Sequence, residues 1–180
     1  SRRNIDFLVK EVFDVVSLTR FEYFEDHDEE TFKMILDTAM KISEEMMFPY
    51  FKDMDTQPPY WENGKVYVHQ AMVPFLKEMG EGGWIQSEKP YDIGGQQLPL
   101  TIKELAYFLF GAANYSMHVY PMLTAGAANL IYEFGTQEMK DMYLEKMYSG
   151  VWQGTMALTE PDVGSSLGDL TTNAEPTDQG

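Results

Sequence analysis

The chain has 180 residues, of which 44% are hydrophobic, so it can bury the core of one domain, or of one domain plus part of another. Its net charge of −16 disfavours nucleic acid and anionic membranes, and its lack of cysteine excludes disulfides and cysteine-ligated metals within it. No apolar run reaches the ~20 residues that a membrane span requires, and we expect a cytoplasmic protein.

Hydrophobic periodicity predicts that the chain is helical as far as Gly150. The six predicted helices cover about 5–18, 29–51, 69–79, 100–117, 121–134 and 137–149. The helix at 100–117 is apolar on nearly every side, which predicts a central position. Large apolar residues in it, such as Phe108 and Met117, are expected in the core.

Capping residues predict where these helices begin and end. Asp28 and Thr136 have acceptor side chains that favour the N-cap position, and Pro121 suits the first turn of a helix. Gly80 and Gly150 are interpreted as glycines that end helices. An Asn-Gly pair at 63–64 predicts a small hairpin between the second and third helices.

After Gly150 the pattern changes from helical to alternating. Two strands are predicted, at 152–158 and at 170–174, and two strands alone would need further partners to be stable. The fold class is therefore mainly α, a helical bundle followed by the first strands of a second domain. The predicted divisions are a helical extension (1–55), a helical domain (56–150) and the start of a β-domain (151–180).

Common catalytic motifs are absent from the sequence. His27, His69 and His118 lie far apart and lack the spacing of a zinc site. No Walker A loop, Gly-x-Gly-x-x-Gly run or Gly-x-Ser-x-Gly elbow occurs either. These absences disfavour zinc catalysis and a serine nucleophile of that kind, and we predict no metal ligand within the chain.

The most informative segment reads MALTEPDVGSS, at residues 156–166. It is predicted to be the end of a strand that enters a turn rich in hydroxyl groups and small residues. Such a turn exposes N–H and O–H donors that could bind the polar edge of a heterocycle or a phosphate oxygen. The simpler interpretation is a plain junction between a strand and a turn.

Three motifs and the N-terminal extension resemble the acyl-CoA dehydrogenase family. Residues 157–165 resemble its flavin signature, which is a small residue and a hydrophobic residue followed by Thr-Glu-Pro-x-x-Gly-Ser-Asp. Residues 90–99 are similar to its Gly-Gly-x-Gly loop, and residues 134–144 to its Gly-Thr-x-Glu-x-Lys-x-x-Tyr-Leu helix. Residues 1–55 resemble the extension of its larger bacterial members. Two positions depart from the family pattern, with Ser166 in place of the usual Asp and Gln97 in place of a Gly.

The resemblance implies a helical domain, a middle β-domain and a C-terminal helical domain, of which this chain supplies the first and the opening of the second. It implies FAD as the cofactor. The residues that the motif assigns to FAD are Met156, Leu158, Thr159, Gly164 and Ser165. Ser165 would also contact the acyl-CoA substrate. Glu160 belongs to the signature and is interpreted as structural.

The implied reaction converts a fatty acyl-CoA into a trans-2-enoyl-CoA, as in fatty acid β-oxidation. The carboxylate that acts as base is expected beyond Gly180, so the chain alone is predicted to be inactive. Electron-transfer flavoprotein or another acceptor is the expected partner, with a homodimer or homotetramer as the assembly.

The helical segments 108–117 and 122–130 would form the wall of the acyl pocket. The simpler interpretation is that they pack closely against each other. An acyl-CoA oxidase and a non-enzymatic helical interaction module are the alternatives.

Overall fold

The computed structural model describes residues 1–177 as a set of α-helices with one short hairpin. The helices are α1 (Arg2–Phe7), α2 (Glu29–Ile42), α3 (Phe51–Thr56), α4 (Met72–Glu81), α5 (Leu100–Phe134) and α6 (Gln137–Tyr148). The hairpin consists of antiparallel strands β1 (Tyr60–Glu62) and β2 (Lys65–Tyr67). Shorter helical turns lie at Leu8–Val12, Val15–Arg20, Glu22–Phe24, Ser43–Met47, Phe48–Tyr50, Tyr91–Ile93 and Leu167–Asp169. The mainly helical fold class is confirmed.

The predicted N-caps and the hairpin are confirmed as well. Asp28 Oδ1 accepts the Thr31 backbone N–H at 2.7 Å, which starts α2. The Thr136 hydroxyl accepts the Met139 N–H at 3.3 Å at the start of α6. The hairpin turns at the Asn-Gly pair, where both residues have positive φ, as a tight two-residue turn requires.

The long helix α5 is central, as predicted, and packs against α2, α4 and α6. Its buried stripe recurs at helical spacing, and it consists of Ile102, Ala106, Phe110, Ala113 and Met117. Phe108 lies off this stripe and is 67% exposed, so the prediction that it belongs to the core is wrong. Phe75 of α4 and Phe32 of α2 are fully buried in the same core.

The break in the apolar region 100–134 lies at Asn114 and not at Pro121. Asn114 has non-helical backbone angles (φ −163°, ψ 94°), and its Oδ1 accepts the Met117 N–H at 3.2 Å, which caps the second half of α5. Pro121 lies inside that second half and is buried. A buried asparagine therefore makes the break that the proline was predicted to make.

The prediction that Gly80 ends α4 is wrong. The helix continues to Glu81, and a methyl group on Gly80 would lie 2.0 Å from the Ser149 carbonyl oxygen. The glycine is needed because the backbones of α4 and of the end of α6 touch there. Gly150 does follow α6, with a positive φ of 73° that favours glycine.

The described residues contain no helix that is long and apolar enough to cross a membrane. Within residues 1–177, no three side chains of the kind that bind metal ions come together.

Candidate functional site

The segment with the flavin signature leaves α6 as an irregular, extended stretch. Neither 152–158 nor 170–174 forms a strand in the described part of the chain, so both strand predictions are wrong for this structure. The physical reason is that a strand requires a hydrogen-bonded neighbour, and neither stretch has one. The only ladder contact in this part of residues 1–177 is an isolated bridge between Glu160 and Val163.

The start of this segment is fixed to the helices through Gly154. Its N–H donates to the buried Thr124 hydroxyl at 3.0 Å, and a methyl group on Gly154 would lie 2.6 Å from Ala127 Cβ. The Trp152 ring lies under the Lys146 ammonium, with 4.1 Å from Nζ to the ring centroid. The second half of α5 and the end of α6 thus set the direction in which the signature leaves the bundle.

The predicted flavin residues lie on the surface of this segment. Met156 is 63% exposed and Leu158 is 40% exposed. Thr159, Gly164 and Ser165 are exposed too, and a methyl group on Gly164 would meet no atom within 4 Å. The structure therefore places all five residues along one exposed stretch, where a ligand can approach the backbone closely.

The segment carries hydrogen-bond donors that the described protein leaves free. Within residues 1–177, the backbone N–H groups of Thr159, Gly164 and Ser165 donate to no protein acceptor, and neither do the two hydroxyls. Free N–H and O–H groups fit the carbonyl edge of a flavin and the oxygens of its phosphates, because those ligands carry acceptors. The residues present therefore fit the cofactor that the resemblance implies.

The Glu160 side chain binds Thr171 and Thr172 and accepts from none of those free donors. Its carboxylate accepts the two backbone N–H groups and the two hydroxyls of these threonines. Those bonds, led by the Thr172 hydroxyl and the Thr171 N–H, lower the pKa of Glu160 to about 2. A carboxylate so well satisfied is a weak base, which supports a structural role. Sequence reasoning missed the two threonines, although their position in the second alternating stretch marked them as candidates for pairing.

Each departure from the family motif has a local compensation. Gln97 has a left-handed φ of 49°, the backbone conformation that favours the glycine usual at this position. Its side chain Nε2 donates to the Tyr23 carbonyl at 2.5 Å, which offsets the strain. The Ser166 hydroxyl donates to the Asp169 carboxylate at 2.5 Å. Asp169 thus places a carboxylate next to the position at which the family usually has an aspartate.

The small residues of α5 differ in what they contact. A methyl group on Gly126 would meet nothing within 4 Å, and one on Gly111 would make only ordinary contacts at 3.6–3.7 Å. Ala127, by contrast, packs against Gly154. Close helix packing among the described residues therefore does not require glycine at 111 or 126, and only Gly126 leaves open space.

Two grooves lie away from the signature. One, of about 650 Å³, separates the loop that contains Gln86 and Gly94 from α6. The other, of about 530 Å³, is mostly apolar and lies between α1 and the Phe108 side of α5. Neither groove is lined by a residue that the sequence predicted for the flavin site.

His118 lies just after the break in α5 and is almost completely buried. Its ring has Tyr107 and Phe110 as neighbours, at centroid distances of 4.7 and 5.9 Å, and its Nδ1 has no partner within residues 1–177. Burial lowers the pKa of His118 from 6.5 to about 4, because the charged ring loses its hydration.

This shift predicts that acid destabilises the fold. Between pH 6.5 and 4 the unfolded chain binds a proton at His118 that the folded chain does not, so the free energy of unfolding falls as the pH falls. The loss from this residue reaches at most roughly 3 kcal/mol near pH 4. Urea unfolding at several pH values measures it, and the His118→Leu variant should lose that part of the slope. Equal slopes for the two proteins would contradict the prediction.

Comparison with known proteins gives a consistent picture. The family model described as acyl-CoA dehydrogenase, N-terminal domain, matches residues 29–151. The chain is 28% identical over 178 residues to 3-methylmercaptopropionyl-CoA dehydrogenase of Ruegeria pomeroyi, which covers 99% of the chain and 30% of that protein. The chain thus spans about 30% of the length of the curated relatives that it matches.

Solved structures show the same fold. A glutaryl-CoA dehydrogenase from Mycobacterium smegmatis superposes with a TM-score of 0.69 at 23% identity, over 84% of this chain and 36% of that one. An acyl-CoA dehydrogenase from Bacillus anthracis, complexed with FAD, superposes with a TM-score of 0.63 at 25% identity. That match covers 82% of this chain and 23% of the Bacillus chain.

Proposed function

This chain belongs to the acyl-CoA dehydrogenase family, and on that premise we propose that the protein containing it oxidises an acyl-CoA thioester to the trans-2-enoyl-CoA with FAD. The observation that carries the proposal is the flavin signature, which presents free donors at Thr159, Gly164 and Ser165. The FAD present in the Bacillus anthracis relative supports the choice of cofactor.

The residues of this chain would bind and orient the cofactor. The Thr159 N–H or hydroxyl would donate to the polar edge of the flavin ring, and such a donor stabilises negative charge on it. Met156 and Leu158 would contact its apolar face. Gly164 and Ser165 would approach the pyrophosphate, where the absence of a side chain on Gly164 leaves room. When bound, FAD would supply the acceptor for the substrate hydride.

The remaining parts of the proposal extend beyond this chain. The base that removes the α-proton is proposed to lie beyond Gly180, so the 180-residue chain alone should show no turnover. We propose electron-transfer flavoprotein or a similar acceptor as the redox partner, and a homodimer or homotetramer as the assembly. The cytoplasmic location and the division of the chain at residues 55 and 150 stay predictions.

The full-length protein provides the test. It should purify with a flavin absorbance spectrum, and an acyl-CoA should bleach that spectrum and yield the enoyl-CoA with an artificial acceptor. Ser165→Ala should weaken FAD binding about tenfold, because a hydroxyl near a charged phosphate makes a strong hydrogen bond. Thr155→Val, an exposed position of the same segment outside the motif, is the control and should bind FAD as the wild type does. A colourless full-length protein that takes up no FAD would refute the proposal.

A further inference from the structure

The loop between Glu160 and Thr172 is closed by one side chain. The two oxygens of the Glu160 carboxylate bind all four donors of the two threonines, and they share the Thr171 N–H, which also lies 3.2 Å from Oε1. Oε2 accepts the Thr171 N–H at 3.0 Å and the Thr171 hydroxyl at 2.8 Å. Oε1 accepts the Thr172 N–H at 2.7 Å and also the Thr172 hydroxyl. The carboxylate thereby joins residues that are 11 and 12 positions apart.

Glu160 also shapes the first turn of this loop through its backbone. Its N–H donates to the Val163 carbonyl at 3.0 Å, and the Val163 N–H donates back to the Glu160 carbonyl at 3.2 Å. Glu160 therefore fixes the tight turn on one side and the returning chain on the other. Gly164 and Ser165 lie between these two fixed points, and both are exposed.

We infer that the Glu160 carboxylate is a lock that closes the loop 160–172 and so positions Gly164 and Ser165 for the cofactor. This inference rests on the proposed function for its consequence but not for the closure itself. A closed loop has lost part of its conformational freedom before the ligand arrives, so binding has less to order. Glu160 is then a positioning residue, since it acts on the ligand only through the loop.

The chemistry of the lock requires a carboxylate. Four donors converge on two oxygens, and an ionised carboxylate offers about four acceptor sites and no donor. A glutamine at the same place would offer one oxygen and would turn its own N–H₂ group toward N–H donors. The lowered pKa of Glu160 agrees with this arrangement, since it keeps the side chain ionised throughout the neutral range.

The first measurement is amide hydrogen exchange in the full-length protein, stripped of any flavin. Glu160→Gln should raise exchange at Thr171 and Thr172 roughly tenfold, and exchange across 164–170 should rise with it. The Thr171→Val and Thr172→Val double variant keeps both N–H groups and loses both hydroxyls, so its rise should be smaller. Asp162→Asn is the matched control, because it removes an exposed carboxylate from the tip of the same turn.

The second measurement is the FAD dissociation constant of the same proteins. Glu160→Gln should bind FAD about tenfold more weakly, while its thermal unfolding midpoint stays at the wild-type value, because the carboxylate bonds only to the exposed loop residues Thr171 and Thr172. Combining Glu160→Gln with the threonine changes should add little further loss, as expected for partners in one network. A variant that merely disrupted the fold would lower the midpoint too.

The two measurements separate the possible failures. Unchanged exchange in Glu160→Gln would overturn the lock, whether or not the protein binds FAD. Raised exchange with unchanged FAD affinity would overturn the positioning role. A wild-type protein that takes up no FAD would refute the proposed function, and the exchange data would still decide whether the carboxylate closes the loop.

Discussion

Replacing Gly80 with alanine is expected to destabilise the helical bundle by roughly 3 kcal/mol or more. The added methyl group would lie 2.0 Å from the Ser149 carbonyl oxygen, 2.3 Å from the Ser149 carbonyl carbon and 2.9 Å from the Gly150 nitrogen. All three atoms belong to the backbone, so no side chain can rotate away to relieve the overlap. Either α4 or the end of α6 must shift, and tightly packed interiors resist such shifts.

The same crossing depends on a second glycine. A methyl group on Gly150 would lie 2.4 Å from the Leu76 carbonyl oxygen, and its positive φ of 73° is unfavourable for any other residue. Gly80 and Gly150 thus let two backbones approach from both sides. The contact also matters for the candidate site, because Gly150 directly precedes the segment that carries the flavin signature.

Chemical denaturation of the full-length protein measures this prediction, and Gly126→Ala is its matched control. Gly126 lies in the second half of α5, where an added methyl group meets nothing within 4 Å. Alanine favours the helix over glycine, so this control should be neutral or more stable by up to about 1 kcal/mol. Both substitutions add one methyl group, but Gly80→Ala should lower the free energy of unfolding, whereas Gly126→Ala should leave it unchanged or raise it. An unfolding free energy for Gly80→Ala within about 0.5 kcal/mol of the wild type would contradict the expectation.

Gly80 also illustrates what sequence reasoning could and could not predict. Rules that act between near neighbours succeeded, as the caps at Asp28 and Thr136 and the Asn-Gly hairpin show. Gly80 looked like a helix end because its local sequence is that of a helix end. The real constraint comes from Ser149, 69 positions away, and local rules contain no information on such a contact.

The candidate site shows the same division. The motif at 156–166 marked the donors correctly as exposed groups, but alternation alone could not predict whether its strand would form. A strand exists only with a partner, and in the described part of the chain the Glu160 side chain takes the N–H groups that a neighbouring strand would have bound. The sequence pattern therefore could not predict the Glu160 lock. Alternation shows which side chains share a face, but it does not show which group accepts a hydrogen bond from a given backbone N–H.

Replacing Asn114 with alanine is the other change with a large expected effect, again about 3 kcal/mol of lost stability. Asn114 is 1% exposed, and its side chain caps the second half of α5 through Met117. Its Nδ2 also donates to the Met47 carbonyl at 3.3 Å, which ties α5 to the turn after α2. Alanine would remove a cap worth about 1 kcal/mol, and it would take the Asn114 acceptor from the buried Met117 N–H and the Asn114 donor from the Met47 carbonyl, at a further cost of about 1–3 kcal/mol.

The backbone angles of Asn114 add nothing to that cost, because its φ of −163° is extended backbone that alanine adopts as well. The loss should therefore come mainly from the hydrogen bonds, and Ser116→Ala, an exposed position two residues further on, should leave the stability unchanged. Urea unfolding of the full-length protein measures both variants. A loss in Asn114→Ala no larger than in Ser116→Ala would show that the break in α5 is held by packing and not by the cap.

The loss in Asn114→Ala should also reach the signature segment. The half-helix that Asn114 caps carries Thr124, whose hydroxyl holds the Gly154 N–H. If the cap frays, the Thr124 anchor loosens, and amide exchange at Gly154 should rise together with exchange at Met117. Exchange at Thr171 and Thr172 should not change, since Glu160 holds them independently of the helices. Anchor and lock are therefore separable: one sets where the segment leaves the bundle, and the other sets the shape of the loop that follows.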